Sequence, residues 1–287
     1  MKIARISRQG AEPRWALVNP DEATLRPFHE SLAQWAPRIM AGAGLRSFSL
    51  TGETWRLADV RLLPPAERGT TVYVAGANYA KHLKEFRIET PRDPFVFLKP
   101  FGALTGANED LTYPRLTQQL DFEVELVVVV GAKLRDPTQP MQAVLGYCVG
   151  NDISARELQK GPGGAIGMDF LSGKGLNHMT PLGPWIVTRE EFGDTHPDLR
   201  LTLRVNDELR QNGRTGEMTW TIGELLSFVN ARSILEPGDV LFTGTPAGVA
   251  QGDGRFLKPG DRLETDIERI GNLKNRIVEA SGPGTQD

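Results

Sequence analysis

Cysteine is almost missing from this chain: Cys148 stands alone among 287 residues, so no intrachain disulfide can form. Its setting in AVLGYCVG reads as a small buried hydrophobe on a strand, with no redox role. Histidine is scarce, with four in all, and no His/Cys cluster has zinc spacing. Neither sign of charge dominates. With 33 basic and 36 acidic residues and a formal charge of −3, the chain offers no broad field to phosphate backbones or anionic lipid, so nucleic acid is not an expected partner. Long apolar runs are lacking too. MKIARISRQG has no signal-like apolar core and no stretch approaches a membrane span, so the expectation is a soluble, cytoplasmic protein with no membrane partner.

Glycine and proline are plentiful, at 31 and 20, and helix-period segments are short, which predicts many short strands joined by turns. Alternating pieces KIARIS, RWALVN and TWRLADV surround one helical stretch, FHESLAQWAPRIMAG, that closes on Gly42 and Gly44. The polar, proline-bearing joint LLPPAERGT follows, and such composition marks domain boundaries. The division expected is a small N-terminal α+β domain over residues 1–67 and a metal-binding catalytic domain over 68–287. In the second, TVYVAG, PFVFLKP, DFEVELVVVVG, DVLFTG and DRLETDIERIG read as strands, and NYAKHLKEF and the segment after MTWT as helices. SARELQ can start a helix, and KGPGGAIG at 160–167 reads as a mobile loop.

The strongest chemical signal is in DFEVELVVVV, where Asp121, Glu123 and Glu125 alternate with apolar residues and should share one face of a strand. Carboxylates buried together repel unless a cation or protons relieve them, so a hard divalent ion is the economical reading; a wet acidic edge is the bland one. All-oxygen ligation favours Mg²⁺, Mn²⁺ or Ca²⁺. Asp152, ending the apolar run AVLGYCVGN, is a further candidate ligand, although taken alone it is a turn former or a helix cap for SARELQ. His82 and Glu85 sit at i, i+3 on one helical face, where an ordinary surface helix is the simpler account. In LFTGTPAGV, backbone N–H groups at Gly244 and the Thr245 hydroxyl could hold a carboxylate, or form a plain turn.

GANYAKHLKE, FLKP, DFEVELVVVVG, GYCVGNDISARELQ, SGKGLNHMTPLGPW, the VND turn with Gln211, and LEPGDVLFTGTPAGV follow one another in this order. From Thr71 to Ile277 the chain thereby resembles the fumarylacetoacetate hydrolase family, in particular its acylpyruvate-hydrolase-like members. The resemblance implies an α+β, β-rich fold with rolled sheets, and a homodimer. It implies that Glu123, Glu125 and Asp152 bind Mg²⁺ or Mn²⁺, and that the substrate is a small 2-oxo acid carrying a second carbonyl. A metal holding the 2-oxo oxygen would stabilise the enolate left when the C3–C4 bond is hydrolysed to pyruvate and a carboxylic acid.

The same resemblance makes His82 the base, Glu85 its partner, Lys174 the lysine that meets substrate, and Arg156 and Gln159 substrate contacts. The chain departs from the family's pattern at Lys81, where relatives carry an acid, at Gly175 in place of serine and at Asn177 in place of aspartate. A decarboxylase or isomerase using the same enolate, and a non-catalytic ligand-binding module, are the alternatives. The acyl half of the substrate is not legible; Arg87 or Arg92 near it would favour a second carboxylate.

Overall fold

The run of valines sends its side chains into two apolar layers. Leu126, Val128 and Val130 pack with Tyr147, Val149 and Leu241, while Val127 and Val129 pack with Cys148, Val240 and Phe242. A strand apolar on both flanks belongs inside a sheet. Accordingly Val124–Val130 lies between Val144–Asn151 and Val240–Phe242, antiparallel to both. The computed structural model describes residues 1–9, 11–161 and 167–280. Most of the loop expected at 160–167 (residues 162–166) lies outside the described residues.

These strands are the middle of a 12-stranded sheet. On one side the order continues through Val72–Gly76 to Phe95–Lys99, and on the other through Thr180–Thr188 to Lys2–Ser7, Arg14–Asn19, Thr24–Phe28 and Trp55–Arg56. The N-terminal strands thus extend the sheet of the larger region, with Ile3 opposite Ile186. Helix Leu32–Met40 closes the lobe, burying Trp35 against Trp15 and Phe28 at centroid distances of 5.2 and 6.2 Å. A five-stranded sheet, ordered Glu208–Arg214, Arg200–Val205, Arg262–Ile267, Gly271–Val278 and Leu111–Thr112, completes a β-rich α+β fold, the class expected. No helix among the described residues is long and apolar enough to cross a membrane.

Two local expectations are corrected. The strand expected to begin at Asp121 is interrupted: Leu120–Asp121 pairs with Ser154–Ala155, and the central strand restarts at Val124. The cause is side-chain capture of backbone groups. Glu123 N–H donates to Asn151 Oδ1 at 2.9 Å and Val124 N–H to Gln211 Oε1 at 2.9 Å, replacing ladder partners. SARELQ, expected to start a helix, forms that short strand and then a single 3₁₀ turn, Glu157–Gln159, because Arg156 N–H bonds Gln119 O across the pair.

Candidate metal centre and its cavity

Register brings the carboxylates together. Val124 pairs with Asn151 and Glu125 with Gly150, and one step beyond, Asp152 N–H donates to Glu123 O at 2.9 Å. Glu123 and Asp152 are therefore neighbours at the ends of adjacent strands. Glu123, Glu125 and Asp152 each offer an oxygen within 4.8 Å of the others, and all three are buried. Asp152 does not cap a helix; its side chain meets Lys99 and Lys174. Asp121 stands apart from the trio. It accepts from Ala250 N and Gln251 N at 2.6 and 2.9 Å and from Arg156 Nε at 2.7 Å, which makes it a brace for the guanidinium.

Three cations face these acids. Lys174 Nζ lies 2.5 Å from Glu123 and 2.6 Å from Asp152, carried there by the short helix Phe170–Lys174. Arg156 Nη2 lies 2.6 Å from Glu123. Lys99, legible beforehand only as part of FLKP, has a fully buried side chain paired with Asp152. It is the site residue that sequence reasoning missed; a lysine ending an apolar strand was its one signal. Glu125 has no cation within ion-pair distance among the described residues, and accepts the Gly244 N–H at 2.6 Å.

The charges split accordingly. Burial opposes ionisation of Glu123, but Lys174 and Arg156 outweigh it and lower its pKa to about 2. Burial, then the negative charges of Asp152 and Glu123, push Glu125 well above the ordinary range. Burial lowers Lys99, whereas for Lys174 the charges of Asp152 and Glu123 overcome burial and raise it. Three hard oxygen donors converge, and one of them lacks a cation; that donor set fits a divalent ion of the Mg²⁺ or Mn²⁺ kind. Glu123, Glu125 and Asp152 would hold it.

A cavity of about 510 Å³ opens onto this cluster, lined also by His82, Arg156, Gln159, Lys174, Gly244 and Thr245. The site residues singled out in the sequence thus meet at one place, with Glu85 just behind. His82 is on helix Ala80–Glu85, its Nδ1 3.3 Å from Glu85 Oε2, and Glu85 Oε1 accepts the Gly248 N–H at 2.9 Å. Asn78 anchors the chain just before this helix by bonding Thr243 O and Trp220 O and N. Lys81 points to Glu217 at 2.5 Å, which draws its charge away from the pair. Asn177 is exposed.

Some groups assigned to substrate are engaged otherwise. The Gly244 N–H serves Glu125, Thr245 Oγ1 accepts from Gln211 Nε2 at 2.8 Å, and Arg156 binds Asp121 and Glu123. Of the other histidines, His196 bridges Thr215 O and the N–H of Ile222 at the start of helix Ile222–Asn230.

The model of the fumarylacetoacetate (FAA) hydrolase C-terminal family matches residues 71–278, and an Rv2993c-like N-terminal model matches residues 1–65. Mitochondrial oxaloacetate tautomerase FAHD2B of Bos taurus is 37% identical over 77% of this chain and 70% of its own. The structure of 2-hydroxyhepta-2,4-diene-1,7-dioate isomerase from Mycobacterium marinum superposes with a TM-score of 0.78 at 33% identity, covering 98% of this chain and 100% of that one. Fumarylpyruvate hydrolase from Pseudomonas aeruginosa, solved with Mn²⁺ and pyruvate, gives 0.67 at 30% identity over 77% and 92%. With the family model spanning residues 71–278, the carboxylate cluster among them, the chain belongs to the fumarylacetoacetate hydrolase family.

Proposed function

We propose that this protein is a divalent-metal-dependent hydrolase of 2,4-dioxo acids of the acylpyruvate type, releasing pyruvate and a carboxylic acid. The observation that carries it is the His82/Glu85 pair, whose imidazole lines the same cavity as three buried carboxylates. Bound by Glu123, Glu125 and Asp152, a divalent ion supplies Lewis-acid stabilisation of charge developing on the 2-oxo oxygen. Protein groups do the rest. With Nδ1 turned to Glu85, His82 carries its proton there and leaves Nε2 free to take one from the water that attacks the distal carbonyl. Glu85, held by the Gly248 N–H, fixes that tautomer and balances the imidazolium. When the C3–C4 bond breaks, the proton on His82 is the one that C3 requires. Lys174, Arg156 and Gln159 line the cavity where the substrate's carboxylate would lie.

The second reading keeps the enolate and omits the water: tautomerisation or isomerisation, or loss of CO₂ from a β-oxo acid. It is supported by the likeness to a tautomerase and to an isomerase. Acetylpyruvate incubated with Mn²⁺-loaded protein should yield pyruvate, and His82→Gln should slow this by about 10²–10⁴ while Mn²⁺ affinity holds. Accelerated keto–enol exchange of oxaloacetate with no pyruvate from acetylpyruvate would favour the second reading. Wild-type turnover by Glu123→Ala/Glu125→Ala would sink both.

A further inference from the structure

The same cavity has a second, chemically different wall, made by Phe86, Ile88, Phe95, Phe97, Met168 and Phe170. Phe97 and Phe170 stack at 4.4 Å and 22°, and Phe95 meets Phe170 at 5.2 Å. Glycine at 76 makes room for this group, since a Cβ there would lie 2.8 Å from the Phe95 ring. Ile88, Phe95 and Met168 are 54%, 41% and 58% exposed, an unusual gathering of apolar surface at a pocket. The His82 ring meets Phe86 edge-on at 5.0 Å, so the proposed base stands where polar wall gives way to apolar wall.

A charged distal group finds little here. Arg87 and Arg92, the cations that would have favoured a second carboxylate, are exposed and do not line the cavity. Arg156 and Lys174 do, but both are already paired with acids. Lys160 also lines the cavity, but it is exposed, and an ion pair between a distal carboxylate and a solvated ammonium contributes little. A carboxylate laid against phenylalanine rings loses hydration without gaining a partner, whereas each methylene buried there favours binding by about fourfold.

Resting on the acylpyruvate reading, we propose that the acyl half of the substrate is uncharged and apolar, several carbons long or aromatic, with no distal carboxylate. Two 2-oxo acids that lack the scissile carbonyl test this without turnover: 2-oxooctanoate and 2-oxooctanedioate, equal in length and differing at the far end. Calorimetric titration of Mn²⁺-loaded protein should show the monoacid binding at least tenfold more tightly. Phe97→Ala should shrink that ratio severalfold, and Phe97→Leu serves should the alanine variant fail to fold. Equal or tighter binding of the diacid, or no gain of either over pyruvate, overturns the proposal. Turnover separates it from the reading beneath it. Preference in binding with no pyruvate released from hexanoylpyruvate supports the apolar pocket and removes the hydrolase; acetylpyruvate hydrolysis without any preference does the reverse.

Discussion

Asp121, Glu123, Glu125 and Asp152 are buried with Lys99, Lys174 and Arg156, four acids against three cations, so one negative charge is left over when every group is ionised. Lys99 touches Asp152 from a fully buried side chain and contributes a like charge beside any bound cation. Lys99→Met should therefore act in opposite directions on the two forms. Metal-free, the variant leaves a buried carboxylate less well paired, a loss of about 3–5 kcal/mol in stability. With Mn²⁺, the missing repulsion should raise affinity by about tenfold or more, since charges at such range interact by several kcal/mol even at an effective dielectric near 20. Mn²⁺ titration and thermal melts check both halves. Weaker Mn²⁺ binding would mean that Lys99 serves by holding Asp152 in place.

Lys174 depends on how closely its helix approaches the Glu157–Gln159 turn. At Gly173 a Cβ would fall 2.2 Å from Gln159 Cγ and 3.0 Å from Gln159 Cα and N, so backbone as well as side chain is in the way. Gly173→Ala should push the Phe170–Lys174 helix outward, costing about 1–3 kcal/mol by overpacking. Melting temperature and kcat/KM for acetylpyruvate should both fall, the latter by more than tenfold; a wild-type melt would show that the turn yields. Elements of this kind were not legible in the sequence. The valine strand, the His82 helix and the helix after Trp220 were, because their apolar periods are strong and local. Thr180–Thr188, buried throughout, is not legible as a strand because Pro181, Gly183 and Pro184 look like turn residues. The interruption at Phe122–Glu123 is set by Asn151 and Gln211, residues distant in sequence whose amides no local pattern points to. The metal trio was legible from strand alternation and resemblance, whereas Lys99 and the apolar wall emerge only when separate strands and loops are brought together.

At the scale of the whole molecule, Glu125 sits on a central strand of the 12-stranded sheet, and Glu123 and Asp152 lie just beyond the ends of two such strands, so their ionisation is coupled to global unfolding. Glu123, lowered to about 2 from an ordinary 4.5, binds fewer protons folded than unfolded near pH 4; its contribution is present above about 4.5 and is lost as pH falls toward 2. Glu125 runs the other way. Its raised pKa keeps the folded protein protonated there while the unfolded chain ionises, so its contribution is full below 4.5 and drains as pH rises toward the elevated folded value. A metal ion requires the ionised carboxylate, and competes with the proton that Glu125 holds. The gain in melting temperature on adding Mn²⁺ should therefore be larger at pH 8 than at pH 5, and it is equivalent to about 2.7 kcal/mol where free Mn²⁺ is a hundredfold above its Kd. Glu125→Gln should flatten that dependence while stabilising the metal-free protein at pH 8. A wild-type gain that stays constant across this range would show that Glu125 is already ionised without metal, beside Lys99, Lys174 and Arg156.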